Sequence, residues 1–258
     1  MSEFLLSLRL AWHVVVRNWT VYRKDFLANI SPTLADPALM LTALGVGLSP
    51  FIGKIGTLSY AEYLAPGMVA TTVLFTAFFE CSYGFYVRMT FENVFKAMLT
   101  TPIGVREVVI GEFLWVFIRA GLMAAGVGIV LVVMGLLPNP WAVLAFPLIG
   151  GLLGVPCGAI GLLAASFVRN INQFQSVYSF LIAPIYFLSG IFFPLGAGSV
   201  LGIISYASPF AHGVILLQHC AWGTLTVSVF LIHTAALFAF TLVLGAWSLV
   251  RIQKRLIS

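Results

Sequence analysis

Charge is what this sequence has least of. Asp, Glu, Lys and Arg make up 8% of its 258 residues, against about 25% in a soluble globular domain. A water-soluble fold of this length could not cover its surface with so few, and that class is excluded. Paired cysteines are missing too: Cys81, Cys157 and Cys220 are scattered, with no CxxC spacing, and read as small buried hydrophobes. The four histidines are dispersed, and His219 and Cys220 are sequence neighbours, which do not face each other on a helix, so no metal site is expected. No phosphate-cradling loop is present. In the nearest approach, Gly47 to Lys54, the glycines stand one residue too far apart and no Ser or Thr follows the lysine. The chain is therefore expected to be no enzyme and to bind no cofactor, with any ATP and magnesium held by a partner. A compact signal-peptide core is absent as well, because Glu3, Arg9, Arg17, Arg23 and Lys24 interrupt the first 25 residues.

What is present is hydrophobicity: 61% of the residues are apolar, and several runs reach the roughly 20 residues that a helix needs to cross a bilayer. The reading is an all-α polytopic membrane protein, one domain over 1–258 with no internal repeat. Six spans are expected, at about 38–52, 64–87, 108–137, 141–168, 174–193 and 226–250. Phe4, Leu8, Trp12, Val15 and Trp19 recur at helical spacing with basic residues elsewhere, which predicts an amphipathic helix over 1–31 lying in the membrane interface; a poorly ordered basic tail is the alternative. Proline and glycine break up 194–225, whose longest uninterrupted piece, 209–222, would reach only about 21 Å. That stretch reads as an external helical hairpin.

The net charge of +5 points to topology rather than to nucleic acid. Arg9, Arg17, Arg23, Lys24, Arg88, Lys96, Arg106, Arg169, Arg251, Lys254 and Arg255 all fall on the side of the termini, and Lys54 alone falls opposite. The positive-inside rule then makes both termini cytoplasmic.

Ionisable residues inside spans are functional candidates because burial in lipid is costly. Glu80 in the second span and Glu112 and Arg119 in the third qualify. A Glu80–Arg119 ion pair that merely locks two helices and a substrate contact by Arg119 are both open. No run of Asp, Glu and His continues a proton relay. Gly150, Gly154 and Gly158 form a ladder for close helix packing. Aromatic residues, among them Tyr83, Tyr86 and Tyr178, could stack on sugar rings along a substrate path or simply face lipid. The longest cytoplasmic connection, 89–107, carries a short amphipathic helix from Phe91 to Leu99. Phe91, Phe95, Met98 and Leu99 fall to one side and Glu92 and Lys96 elsewhere, before Pro102 ends it. Such a helix suits docking into another protein's groove or folding onto the lipid surface.

Several stretches resemble the permeases of the ABC type-2 exporter family, in particular its nodulation-factor (lipooligosaccharide) export branch. They are Leu34-Ala35-Asp36-Pro37, Leu44-Gly45-Val46-Gly47-Leu48, Pro66-Gly67-Met68-Val69-Ala70-Thr71, Val109-Ile110-Gly111-Glu112 and Phe187-Leu188-Ser189-Gly190-Ile191-Phe192-Phe193-Pro194. The resemblance implies a six-span half-transporter in the bacterial inner membrane. It would act as a homodimer with two copies of a separate ABC ATPase and export an amphiphile such as a lipid-linked oligosaccharide. It also implies that the 91–99 helix couples permease to ATPase. Relatives of the wider family export drugs or polysaccharides, and the aromatic residues do not separate these cargoes. A secondary transporter would want inverted repeats and a membrane enzyme a clustered nucleophile, base or metal set; neither is found.

Overall fold

In hydrocarbon every backbone polar group must be satisfied within the chain, and for a single segment only a helix does so. The computed structural model describes residues 2–196 and 198–257. Met1, Ala197 and Ser258, within the expected N-terminal, hairpin and C-terminal segments, lie outside the described residues, as does the side chain of Phe4. The helices are α1 (Ser2–Tyr22), α2 (Phe26–Met40), α3 (Gly47–Ile52), α4 (Tyr60–Phe79), α5 (Phe85–Thr90), α6 (Val94–Leu99) and α7 (Val105–Val133). They continue as α8 (Phe146–Phe167), α9 (Gln173–Val177), α10 (Ala183–Phe187), α11 (Val200–Tyr206), α12 (Pro209–Ala221) and α13 (Val227–Ile257). A single two-stranded ribbon, Lys54–Ile55 against Leu58–Ser59, is entered at Gly53 and turns at Gly56, both at positive φ, and is the only sheet among the described residues.

Five helical stretches are long and apolar enough to cross a membrane: Leu5–Ile52, Tyr60–Thr90, Val105–Val133, Phe146–Phe167 and Val227–Leu256. A sixth is added if α11 and α12, bent by 98° at their junction, count as one broken span. The all-α polytopic class is thus the one observed, and α11–α12 occupy the segment expected to form a helical hairpin.

Two spans differ from expectation. The first was placed at about 38–52, flanked by Asp36–Pro37, with a start in the Leu34 region left open by its shortness. Instead the helix runs through Pro37 from Phe26, so residues 26–52 give about 40 Å of helix, and α1 joins it through one tight turn, Arg23–Asp25. The fifth, expected over 174–193, is helical only to Phe187, about 22 Å. It still runs the full length of the second span. Phe174 meets Tyr86 at one end (ring centroids 5.5 Å apart), and the Tyr63 hydroxyl donates to the Gly190 carbonyl at 2.7 Å at the other. The non-helical part is tolerated because it is buried in protein. Gln218 also donates to Gly190, Ser189 donates to the Tyr186 carbonyl, and Ile191 is fully buried against Gly67.

At the centre stands α4, buried on nearly every side and started by a capping box in which Ser59 and Glu62 satisfy each other's backbone N–H groups. The glycine ladder does what its spacing predicted. A Cβ at Gly150 or Gly154 would come within 2.5 Å of Ala124 or Ala120 on α7, so α7 and α8 pack almost backbone to backbone. The inner face of α1 is not the expected one: Ala11, Val14, Val15, Asn18 and Tyr22 are buried, while Trp12 and Trp19 remain exposed. The buried face lies on α7, where Val14 and Ala11 touch Gly111.

The start of α1 and the end of α13 lie at one end of the bundle. Ser7 donates to Glu107 at 2.6 Å at the start of α7, and Arg255 donates to the Ala165 carbonyl at the finish of α8. Lys54, Asn139 and Trp222 sit at the opposite end, where the Asn139 N–H donates to the Ala221 carbonyl and the Trp222 indole to Glu62.

Candidate functional site

The charged residues inside the bundle form one connected cluster. Arg88 donates from Nη1 to Glu80 at 2.6 Å and from Nη2 to Glu112 at 2.8 Å. Arg119 pairs with the second oxygen of Glu80, and the Trp115 indole adds a third donor to that carboxylate at 3.2 Å. Glu112, with no exposed surface, also accepts from the Asn18 amide at 3.1 Å. Asn18 is oriented by Arg17, which donates to its oxygen at 3.0 Å, and Arg17 stands 3.9 Å from Glu92. Two carboxylates and two guanidiniums make the core of the cluster electrically neutral, which is what allows burial. The expected Glu80–Arg119 pair therefore exists, within a larger set that ties α1, α4, α5 and α7 together.

Arg88 was not expected in it. Glu80 and Arg88 are eight residues apart, which in an α-helix leaves them about 80° out of phase. Between them lies a turn of wider π geometry, Glu80–Gly84, which winds more slowly and removes that offset. Asn18 and Arg17 were missed because the polar face of α1 was assigned to the interface.

The cluster closes one end of a cavity of about 490 Å³. Met40, Phe75, Phe79, Tyr83 and Tyr186 supply most of its apolar wall, Glu80 and Arg119 its charged end, and Asp36 a further carboxylate. A second cavity of about 720 Å³ shares Phe75, Phe79 and Tyr83 and adds Phe174 and Tyr178. Phe79 stacks on Tyr178 at 6.2 Å and on Phe75 at 6.1 Å. Two further wide turns, Leu41–Val46 and Tyr178–Ile182, lie in the helices that form these walls, and such turns recur at functional sites. Of the predicted path residues, Glu80, Tyr83, Arg119 and Tyr178 thus reach the cavities. Glu112 and Tyr86 do not. Glu112 is enclosed by its donors, and the Tyr86 hydroxyl is spent on the Arg169 carbonyl at 2.9 Å. Asp36 would have been found by the same rule had the first span been started at 26. The histidines, read as dispersed, include one close pair: His212 and His233 face each other with Nδ1 atoms 2.8 Å apart.

The loop helix expected over 91–99 is shorter, Val94–Leu99, because Asn93 takes a left-handed conformation, and it is turned over relative to expectation. Phe95, expected as an outward anchor, is 1% exposed and stacks on Phe85 at 4.4 Å. Met98 and Leu99 pack on the same core. Lys96 is exposed on the outer face, as are Phe91 and Glu92 before the helix and Pro102 beyond it.

Residues 9–222 match the ABC-2 type transporter family. The chain belongs to that family. It is 31% identical to Nodulation protein J of Rhizobium leguminosarum bv. trifolii over 242 residues, 93% of this chain and 92% of the relative. It is 30% identical to Nodulation protein J of Neorhizobium galegae over 257 residues, 99% and 97% of the two chains. The inner membrane transport permease YadH of Escherichia coli (strain K12) is 23% identical over 261 residues, 95% and 97% of the two. The resemblance read from the motifs is borne out. This ABC-2 protein is a multi-pass membrane transport permease, a transport subunit.

Proposed function

We propose that this permease exports an amphiphile, of the lipid-linked oligosaccharide class, across the bacterial cytoplasmic membrane with both termini cytoplasmic. It works as two copies of this chain with two copies of a separate ABC ATPase, which holds the ATP and magnesium. The observation that carries the reading is the paired cavity. The stacked rings of Phe75, Phe79 and Tyr178, with Tyr83 in the same walls, offer flat faces to sugars, and the apolar remainder suits an acyl chain. The Glu80–Arg119 end supplies polar partners without net charge. The missing phosphate loop supports the separate ATPase, and the exposed residues Phe91 and Glu92 before α6 and Lys96 on it offer it a contact. The test is uptake of labelled lipooligosaccharide into inside-out vesicles holding the permease and its ATPase. Accumulation should require ATP and both proteins. Accumulation driven by an ion gradient without ATP would overturn the reading in favour of a secondary transporter. Uptake of an apolar drug or an unlipidated polysaccharide, with the lipooligosaccharide refused, would replace the substrate class.

A further inference from the structure

The neutral cluster leaves one carboxylate of the cavity over. Asp36 stands ten residues beyond Phe26 and sixteen short of Ile52, about 15 and 24 Å along the helix, so it lies inside the first span rather than at either end. A carboxylate at that depth is costly without a positive partner. Among the described residues no ion pair includes it: the four link Arg17 to Glu92, Arg88 to Glu80 and Glu112, and Arg119 to Glu80. Lys24, the nearest cation before it in sequence, is twelve residues away, and Lys54, the nearest after it, eighteen, about 18 and 27 Å of helix. A second copy of the chain would bring Arg88 and Arg119 already committed to its own Glu80 and Glu112. Asp36 is exposed and lines the cavity of about 490 Å³, where a counter-charge can arrive with a ligand.

The cavity walls say what carries that charge. Met40, one turn beyond Asp36 on the same face of α2, meets the Tyr186 hydroxyl at 3.8 Å, which turns the Asp36 face toward the aromatic wall. Phe75 lies 5.6 Å from Tyr186 and 6.1 Å from Phe79 between ring centroids, and all three rings line the cavity with Asp36. Ring faces attract an ammonium group, and a carboxylate accepts a charge-assisted hydrogen bond from it. A phosphate would be repelled by the carboxylate, and a bare metal ion would find too few oxygens among the rings. We propose that Asp36 binds a protonated amine on the exported amphiphile, held against the rings of Phe75 and Tyr186. The proposal rests on the reading of this cavity as the substrate path and narrows the cargo to one that bears an ammonium group.

The test measures binding, so that it can fail independently of transport. Permease in phosphatidylcholine nanodiscs is given radiolabelled dodecylamine, which is charged at neutral pH as a lysine is, or its uncharged counterpart N-dodecylacetamide. Retention is counted above that of empty nanodiscs. The wild type should bind the amine about tenfold more tightly. Asp36→Asn should abolish that preference by weakening the amine alone, and, having no intramolecular partner to lose, should melt with the wild type. Asp36→Glu, which keeps the charge, should largely retain the preference. Equal or absent binding of the two probes by the wild type would overturn the proposal. Equal weakening of both probes in Asp36→Asn would do the same, marking a structural role. So would a preference that survives the substitution, which would put the ammonium group on another carboxylate. Loss of ATP-dependent lipooligosaccharide uptake with the amine preference intact would count against the transport reading alone.

Discussion

Removing the guanidinium of Arg88 would strip one charged donor from each of two carboxylates, one of them in a site with no exposed surface. Glu80 keeps Arg119 and Trp115, but Glu112 keeps only the Asn18 amide. Breaking a buried pair from one side typically costs about 3–5 kcal/mol, so Arg88→Met should lower the melting temperature in detergent sharply. Glu112→Gln, which removes the charge along with the need to balance it, should cost less. The double variant should melt near Glu112→Gln rather than at the sum of the two losses; simple additivity would show that Arg88 and Glu112 do not act as a pair. At this scale the sequence was informative wherever an ionisable residue stood inside a recognised span, as with Glu80, Glu112 and Arg119. It was silent on Arg88 because the phase shift that brings Arg88 round arises from a wide turn, and no residue in Glu80–Gly84 advertises one.

Among the elements, α6 shows what an amphipathic pattern leaves undetermined. The spacing of Phe95, Met98 and Leu99 correctly put them on one face, but a pattern does not name what covers that face, and here α5 covers it. The coupling test moves accordingly. Phe95→Ala should cost about 3–5 kcal/mol and reduce the amount of permease reaching the membrane. Lys96→Glu, on the exposed side, should leave that amount unchanged and lower both ATPase co-purification and ATP-dependent transport. Normal coupling in Lys96→Glu would shift the contact to the exposed loop at 170–173. The same limit explains α1, whose exposed tryptophans were conspicuous, while the face that packs on α7 is built from Ala11, Val14 and Asn18. The segment expected as the fifth span lies along α4, but its helix end was not legible, because Leu188–Gly190 is held by partners on α4 and α12 that are remote in sequence.

Across the whole molecule, the distribution of basic residues was the most readable feature. The structure gathers Arg169, Arg251, Lys254 and Arg255 at one end and leaves Lys54 at the other. A cysteine replacing Lys54 or Asn139 should react with a membrane-impermeant thiol reagent added to whole cells, and one replacing Lys96, Asn170 or Lys254 should react only after permeabilisation. Reaction of the Lys254 position in intact cells would invert the last span and remove the basis for cytoplasmic termini.

The three wide turns, Leu41–Val46, Glu80–Gly84 and Tyr178–Ile182, also bear on how the gene can change. Each turn of this kind holds one more residue than an α-turn, so losing a single codon there lets the helix close into regular geometry while the segments on either side keep their orientation. Elsewhere in a spanning helix the same loss rotates everything downstream by about 100°. A library of one-codon deletions through the spans should therefore yield membrane-inserted protein mainly at these three places, with the cavity wall reshaped in each survivor.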